Sequence, residues 1–219
     1  VNIFLGLLLS YLMDWRTLRA EKELIEKEKL KTELAFLKSQ VNPHYLFNTI
    51  NDIYALTQQQ SKEAPEALLK LSELLRYMLR ESDDPYVLLS SEIHYLENVI
   101  ALQKIGQKGR AYINFEVEGS IGQQKIAPLI LINFVENAFK HGVFNDRTNP
   151  IQILIFVDEK VFKLHLHNAI NTSKKDKTGG IGLTNVRRRL ALLYPNRHEL
   201  LIDHQQDFYS VDLKIHFYD

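Results

Sequence analysis

The spacing of the apolar residues changes once along the chain, near Arg110, and this change limits the folds that are possible. Before it, apolar residues recur every three or four positions, as in helices that bury one face. After it, four short segments of alternating apolar and polar residues, at 112–117, 151–157, 162–167 and 210–217, are typical of half-buried strands. The sequence therefore predicts an α+β protein, in which a helical N-terminal part precedes an α/β part.

The composition is that of an ordinary globular protein, and it excludes several kinds of chemistry. The 219 residues include 27 basic and 27 acidic side chains. Such a balance gives no bulk attraction to nucleic acid, so we expect no direct nucleic-acid partner. Cysteine is absent, which excludes disulfides, thiolate metal sites and cysteine nucleophiles. Any catalysis must use other side chains.

Residues 1–13 are almost entirely apolar, and charged residues begin at Asp14. This segment is shorter than the span of about 20 residues that a bilayer requires. It is therefore a buried helix, a signal-peptide core or the end of a truncated transmembrane helix. The basic flank favours the truncated helix, with the rest of the chain on the cytoplasmic side of the inner membrane.

Residues 14–38 are rich in charges of both signs and contain no Gly or Pro, which is typical of a solvated helical linker. A 4-3-4 spacing of apolar residues at its end predicts about two heptads of coiled coil. The residues that form this spacing are Leu30, Leu34, Leu37 and Val41. A simple amphipathic helix is the alternative.

Two amphipathic helices are predicted within residues 39–83, and Pro43 should kink the first of them. Their apolar positions are Val41, Leu46, Ile50, Ile53 and Leu56 in the first helix, and Leu68, Leu71, Leu75 and Met78 in the second. A hairpin of two helices cannot bury both apolar faces by itself, so we expect a homodimeric four-helix bundle. A third helix is expected over residues 92–104, with Ser90 and Ser91 as N-caps.

His44 and Asn48 lie one turn apart on the first of these helices and share a face. A lone histidine on a helix is usually structural or merely exposed. His165 and His167 alternate with apolar residues in a predicted strand, but a metal site there is disfavoured because no third ligand is evident.

The most informative helix is predicted over residues 128–142, with Pro at its start and Gly at its end. Five polar residues fall on one stripe of this otherwise apolar helix: Asn133, Glu136, Asn137, Lys140 and His141. An ordinary solvated face is the alternative, but such faces usually mix Lys and Glu, and Asn is a poor helix former. Amide oxygens suit Mg²⁺, while Lys140 and His141 are suited to contacting phosphate.

A glycine-rich segment with glycines at 179, 180 and 182 precedes another amphipathic helix. Exposed backbone N–H groups at the positive end of a helix favour phosphate, although such a cluster can also be only a turn. The segment matches neither the Walker nor the dinucleotide-binding motif, so a different nucleotide fold is required.

Three motifs in this order resemble those of the LytS-type sensor histidine kinases, whose catalytic half has the Bergerat-type (GHKL) ATPase fold. Residues 40–51 (QVNPHYLFNTIN) are similar to the phosphoacceptor motif, 135–142 (VENAFKHG) to the N-box and 179–190 (GGIGLTNVRRRL) to the glycine-rich box. The resemblance spans residues 34–217. It implies a two-component sensor kinase with a dimerising phosphotransfer hairpin at 39–83 and an α/β sandwich at 84–219 that binds ATP and Mg²⁺.

The resemblance also implies roles for individual residues. His44 accepts the γ-phosphate of ATP and passes it to an aspartate of a response regulator, Asn48 orients water for dephosphorylating that regulator, and Glu136 assists at the ATP side. Asn137 is the Mg²⁺ ligand. The implied nucleotide-binding residues are Asn133, Asn137, Lys140, His141, Asn168, Gly180, Gly182 and Leu183.

The sequence departs from the family pattern at two places. His167, Asn168 and Ala169 stand where related kinases carry Asp-x-Gly, so the acceptor for the adenine amino group is an uncharged amide, that of Asn168. Tyr45 follows His44 where other subfamilies carry an acidic base. The alternative functions are a catalytically weak dimeric signalling scaffold with a degenerate ATP site, or an ATPase of this fold that hydrolyses ATP.

Overall fold

The computed structural model describes residues 15–16, 18–19, 22, 43–80, 84–170, 181–205 and 207–217. Asn42–Asp219 is one compact unit, and the few described residues before it belong to a separate unit, Val1–Val41. The predicted membrane segment at 1–13, most of the linker at 14–38 and its coiled-coil positions lie outside the described residues. Within the described ranges, no helix is both long enough and apolar enough to cross a membrane.

Five helices and seven strands make up the described part of this unit. In chain order they are α1 (Pro43–Gln58), α2 (Ala64–Arg80), β1 (Val87–Leu88), α3 (Leu89–Gly106), β2 (Ile113–Gly119), β3 (Lys125–Ile126), α4 (Ile132–His141), β4 (Ile151–Val157), β5 (Val161–Ala169), α5 (Ile181–Leu193), β6 (His198–His204) and β7 (Phe208–His216). The predicted α+β class is confirmed.

The predicted helical hairpin is present as α1 and α2, but its buried face differs in part from the prediction. Leu71, Ile53 and Leu56 are buried as predicted, whereas Ile50 and Leu68 are about half exposed. Pro43 is the first residue of the described helix, a position where proline is tolerated. The residues before it, where the predicted kink would lie, are outside the described range.

Helix α3 packs along both hairpin helices within the same chain. Asn98 of α3 donates a hydrogen bond to Glu73 of α2 at 2.9 Å. Gly106 at the end of α3 approaches Asp52 of α1 so closely that an added Cβ would lie 2.8 Å from the Asp52 carboxylate. Part of the apolar surface of the hairpin, which the sequence assigned to a partner subunit, is therefore covered by α3.

The hairpin still carries large apolar side chains at its surface. Those that are about half exposed or more are Phe47, Ile50, Tyr54, Leu68, Leu69 and Leu79. Exposed apolar residues at helical spacing on both helices are typical of a surface that packs against another helix pair.

The start of α3 differs from the prediction. The helix begins at Leu89, its N-cap residue is Leu88, and no side chain caps it. Leu88 belongs to β1, which pairs with β3, so the chain enters the helix directly from a strand. The N–H of Leu89 instead donates to the carbonyl oxygen of Gln124 at 2.8 Å. Capping by Ser90 or Ser91 is therefore wrong, because a tertiary contact already satisfies this end of the helix.

A five-stranded mixed sheet with the order β2-β4-β5-β7-β6 forms the second half. Strands β2 and β4 are parallel, and the remaining neighbours are antiparallel. Alternate residues of β4 and β7 are fully buried, so one face is covered while the other is open. Each fully buried Ile, Leu or Val contributes about 1.5–3 kcal/mol to folding, which fixes the register of the strands.

The four predicted strands are present with boundaries within two residues of those expected. Strand β6 was not predicted. Its burial alternates only weakly, and Leu201 is 70% exposed. It lies at the edge of the sheet and pairs only with β7, and none of its residues is buried, so its sequence lacks the marked alternation of a half-buried strand.

Candidate active site

Helix α4 presents the predicted polar stripe. Asn133, Glu136, Asn137 and His141 are half-buried and Lys140 is exposed. The opposite side is buried, and its residues are Ile132, Phe134, Val135, Ala138 and Phe139. The division of this helix into an apolar and a polar face is confirmed.

The helix begins four residues later than predicted. Residues 128–131 form a buried turn, and Leu129 has a φ of 55°, in the left-handed region. Side chains from other elements hold this turn by hydrogen bonds to its backbone, so these residues are not free to extend the helix. The prediction that proline at 128 starts the helix is wrong for this reason.

Both asparagines of the stripe are held by their amide nitrogens. Nδ2 of Asn133 donates to the carbonyl oxygen of Leu129 at 2.8 Å. Nδ2 of Asn137 donates to the hydroxyl of Tyr209 at 3.4 Å. An amide whose nitrogen is held in this way presents its carbonyl oxygen on the other side, and carbonyl oxygen is the atom that a hard cation prefers.

Asn168 lies near the end of β5 on the covered face of the sheet and is 1% exposed. Its Nδ2 donates to the carbonyl oxygen of Ala169 at 2.9 Å, while its Oδ1 has no hydrogen-bond partner among the described residues. An unpaired buried polar atom costs about 1–3 kcal/mol, so such atoms in native proteins require an explanation. A ligand that donates a hydrogen bond to Oδ1 of Asn168 would explain why this atom is buried without a partner among the described residues.

The structure brings Asn168 next to the polar helix. Asn168 pairs with Tyr209 across neighbouring strands, and Tyr209 accepts the hydrogen bond from Asn137. Gly142, at the end of α4, is so close that an added Cβ would lie 2.8 Å from Nδ2 of Asn168 and 2.3 Å from the carbonyl oxygen of Ala138. Residues that are far apart in sequence thus form one cluster.

Tyr209 is a site residue that the sequence analysis missed. Burial raises the pKa of its hydroxyl, and the hydrogen bond from Asn137 and the charge of Arg187 oppose that shift. A buried tyrosine on an alternating strand looks like a core residue in sequence. Only the pairing of β5 with β7 shows that its hydroxyl reaches the polar helix.

The glycine-rich segment is described in part. Gly180 and residues 171–179 lie outside the described residues. Gly182 and Leu183 lie in the first turn of α5, which begins at Ile181, so Gly182 belongs to the helix and not to the loop before it. An added Cβ at Gly182 would meet no atom of the described residues within 4 Å.

His44 is the second residue of α1, and its side chain lies outside the described part of the chain. Asn48, one turn later, is exposed. Between them, the hydroxyl of Tyr45 donates to the carbonyl oxygen of Val99 at 3.4 Å. Burial raises the pKa of Tyr45, and the charge of Glu136 raises this pKa further. The start of α1 therefore lies close enough to the polar helix for the charge of Glu136 to act on it.

The strand histidines lie on the open face of the sheet, as their alternation predicts. Nδ1 of His165 lies 2.8 Å from Oδ1 of Asp212, and the ring of His167 lies 5.3 Å from that of Phe208. Among the described residues, no three His, Cys, Asp or Glu side chains are grouped as a metal site would require.

Comparison with known proteins indicates the class of protein to which the first half of the chain is similar. Residues 32–111 match the family model described as "Histidine kinase". This range contains the first predicted motif together with helices α1, α2 and α3. The class of protein indicated by this part of the chain is the histidine kinases.

Individual similar proteins indicate a type within the histidine kinases. Sensor protein LytS of Enterococcus faecalis is 30% identical over 84% of this chain and 33% of its own length. Sensor histidine kinase/phosphatase LytS of Staphylococcus aureus is 30% identical over 80% of this chain and 32% of its own length. The histidine kinase AdeS of Acinetobacter baumannii is 14% identical, with a TM-score of 0.44 over 87% of this chain and 98% of that chain.

The chain is thus a histidine kinase sequence of the LytS type. It spans about a third of the length of the curated relatives that it matches.

Proposed function

We propose that the chain carries the kinase region of a two-component sensor. In this proposal, Mg–ATP phosphorylates His44, and the phosphoryl group then passes to an aspartate of a response regulator. The observation that carries the proposal is that the buried Oδ1 of Asn168, beside the polar stripe of α4, has no hydrogen-bond partner in the described part of the chain. The similarity to LytS proteins supports the same class of activity.

Adenine fits the environment of Asn168. Oδ1 is an acceptor in need of a donor, and the exocyclic amino group of adenine is a donor. The close approach of Gly142 to Asn168 leaves no room for a side chain between the end of α4 and β5. In this proposal, Asn168 recognises the base without the charge that an aspartate would supply.

The residues of the polar stripe fit Mg²⁺ and phosphate. The amide nitrogens of Asn133 and Asn137 are held by protein acceptors, so their carbonyl oxygens are the atoms available as Mg²⁺ ligands. Bound Mg²⁺ would neutralise the charge of the phosphates. Lys140 and His141 place basic groups on the same stripe.

The start of α5 supplies backbone N–H groups that can also bind phosphate. The first turn of a helix carries unpaired N–H groups and the positive end of the helix dipole, which favour phosphate. Gly182 and Leu183 lie in this first turn. In this proposal, Gly180 and these two residues cover the phosphates of ATP.

The transfer step is an attack by a ring nitrogen of neutral His44 on the γ-phosphorus. The N–P bond forms as the bond from the γ-phosphorus to the bridging oxygen breaks, and ADP leaves with the electron pair. The proton on the other ring nitrogen is then released. Tyr45 does not accept it as a phenolate, because burial raises the pKa of Tyr45 and keeps its hydroxyl protonated near neutral pH.

Asn48 is the proposed phosphatase residue. It is exposed and one helical turn from His44, so a regulator that docks at His44 would also meet its amide. An amide in this position can orient water toward a phosphoaspartate. The S. aureus relative is named a histidine kinase/phosphatase, which supports a second activity of this kind.

The remaining parts of the proposal concern assembly and location. The exposed apolar residues of the hairpin support a homodimer with a four-helix bundle. The apolar residues 1–13 and their basic flank support a cytoplasmic kinase region that follows a transmembrane helix of the inner membrane.

A catalytically weak scaffold is the second candidate. The observation in its favour is the same Asn168, because an uncharged acceptor holds a donor less strongly than a carboxylate does.

The test is incubation with γ-labelled ATP and Mg²⁺, followed by a search for label that is acid-labile and stable to base. We expect such label in the wild-type protein, and its loss in His44→Gln and in Asn137→Asp. His165→Gln, on the open face of the sheet, is the matched control and should keep the label. Weak ATP binding with no label in any form would favour the scaffold, and label that persists in His44→Gln would exclude His44 as the acceptor.

A further inference from the structure

The turn before the polar helix needs external support. Residues 127–131 are all buried, and Leu129 adopts a left-handed backbone conformation that a leucine adopts only at a cost. The carbonyl oxygen of Leu129 also accepts the hydrogen bond that holds the side chain of Asn133. The conformation of this turn therefore sets the position of a proposed nucleotide residue.

A single buried carboxylate holds the N–H groups of the turn. Glu92 of α3 is 0% exposed, and its Oε2 accepts from the N–H of Leu129 at 2.9 Å. Its Oε1 accepts from the N–H of Leu131 at 3.4 Å. The hydroxyl of Tyr77, on hairpin helix α2, donates to the same Oε2. One side chain thus joins the hairpin to the turn.

A buried cation holds the carbonyl groups of the same turn. Arg189 of α5 is 4% exposed and donates to the carbonyl oxygen of Pro128 at 2.6 Å and to that of Leu129 at 3.3 Å. Burial raises the pKa of Glu92 and lowers that of Arg189, and the opposite charge of each residue opposes the shift of the other. The helix that follows the glycine-rich segment is therefore tied to the same turn.

We propose that Glu92 is a positioning residue that couples the phosphotransfer hairpin to the nucleotide site. The path runs from the Tyr77 hydroxyl to the Glu92 carboxylate, then to the N–H of Leu129, and from the carbonyl oxygen of Leu129 to the amide of Asn133. A shift of α2 relative to α3 separates Tyr77 from Glu92 and loosens the turn. The nucleotide part of this inference rests on the proposed function, whereas the link between hairpin and turn does not.

Tyr77→Phe is the appropriate variant, because it removes only the hydroxyl. The ring keeps its packing against Tyr95, at 4.9 Å between centroids. Tyr86→Phe is the matched control, since it also removes one hydroxyl that is bonded inside the unit, to the carbonyl oxygen of Leu193 at 2.7 Å. The hydrogen bond of the control hydroxyl goes to α5 and not to Glu92.

The first measurement is amide hydrogen exchange in the nucleotide-free protein. In Tyr77→Phe we expect the amides of Leu129 and Leu131 to exchange about tenfold faster or more, the size expected for a lost hydrogen bond to a charged group. The amides of the central strands β4 and β5 should be unchanged. A purely structural hydroxyl would instead speed exchange uniformly or not at all, and either result would overturn the link.

The second measurement is titration with Mg–ATP. Tyr77 belongs to the hairpin, yet Tyr77→Phe should weaken ATP binding about threefold to tenfold. Tyr86→Phe should leave the affinity for ATP unchanged. Unchanged affinity in Tyr77→Phe would overturn the coupling. If the wild-type protein binds no ATP, the proposed function fails, and the exchange measurement still decides whether Glu92 joins the hairpin to the turn.

Discussion

The amide nitrogen of Asn137 lies 3.4 Å from the hydroxyl of Tyr209, to which it donates a hydrogen bond, and this contact joins the polar helix to strand β7. Strand β7 in turn pairs with β5, where Asn168 lies opposite Tyr209. The two amides that are proposed to bind Mg²⁺ and adenine thus share one tyrosine as their common neighbour. The helix and the sheet hold the two subsites in a fixed relation.

Replacement of Tyr209 by Phe should weaken Mg–ATP binding without unfolding the protein. The variant keeps the buried ring but removes the acceptor that orients Asn137. A single such hydrogen bond is worth about 0.5–1.5 kcal/mol, which corresponds to about a twofold to tenfold loss of affinity. Isothermal titration calorimetry measures this loss. Tyr86→Phe should bind normally, and equal affinities of the wild type and Tyr209→Phe would contradict an orienting role for Tyr209.

Replacement of Asn168 by Leu should change stability and binding in opposite directions. The variant removes a buried oxygen that has no partner among the described residues, and the carbonyl oxygen of Ala169, which loses the amide of Asn168, still accepts from the N–H of Val143 at 2.9 Å. The free energy of unfolding without nucleotide should therefore stay the same or rise by about 1 kcal/mol. ATP affinity should fall about tenfold or more, because the adenine amino group loses its acceptor. Thermal denaturation with and without Mg–ATP measures both effects.

Asn98→Leu provides the contrast. Asn98 is also a buried asparagine, but its amide nitrogen donates to a charged acceptor, the carboxylate of Glu73, at 2.9 Å. Its replacement should therefore lower stability. A stability loss in Asn168→Leu as large as that in Asn98→Leu would mean that Asn168 serves the fold and not a ligand.

Two glycines of the site should respond oppositely to alanine. At Gly142 an added Cβ would lie 2.3 Å from the carbonyl oxygen of Ala138, so Gly142→Ala should cost about 1–3 kcal/mol of stability. At Gly182, in the first turn of α5, the Cβ meets no atom of the described residues within 4 Å, and Gly182→Ala should be neutral or stabilise by up to about 1 kcal/mol. Chemical denaturation of both variants without nucleotide tests the pair, and a stable Gly142→Ala would contradict the close approach of α4 to β5.

A charge on the exposed apolar surface of the hairpin should separate the proposed dimer. Leu68 and Tyr54 are 58% and 64% exposed. A glutamate at either position would have to be buried on dimerisation, and we expect Leu68→Glu or Tyr54→Glu to shift the protein to a monomer in analytical ultracentrifugation. Leu201→Glu, on a 70% exposed residue of the sheet, is the control and should keep the wild-type state. A variant of the hairpin that remains a dimer would place the interface elsewhere.

The elements whose local sequence and burial agree could be predicted. Strand β4 alternates buried and exposed residues over its full length, and its boundaries match the prediction. The polar stripe of α4 could be predicted in the same way. A rotation of 100° per residue places Asn133 and Asn137 on one face of the helix wherever that helix packs. Strand β6 was missed because none of its residues is buried, so its sequence carries no clear apolar face.

The site could be predicted only in part. The motifs predicted Asn137 and Asn168 as site residues. The hydrogen bond of Asn137 to Tyr209, and the position of Asn168 opposite Tyr209, depend on which strands are neighbours. Glu92 shows the same limit, since one acid in a helix gives no sign that three donors from two other elements surround it. In the run of arginines at 187–189 only Arg189 is buried, and nothing in the run itself distinguishes it.

The sequence by itself determined the α+β class, the polar stripe and the order of the three motifs, because each depends on residues close together in the chain. The tertiary structure decided where α4 begins, which side of the hairpin is covered by α3 and which groups surround Asn168 and Glu92. The physical reason is that backbone polar groups and buried charges must find partners once water is excluded. Those partners come from whichever elements the fold brings together, and local sequence does not encode them.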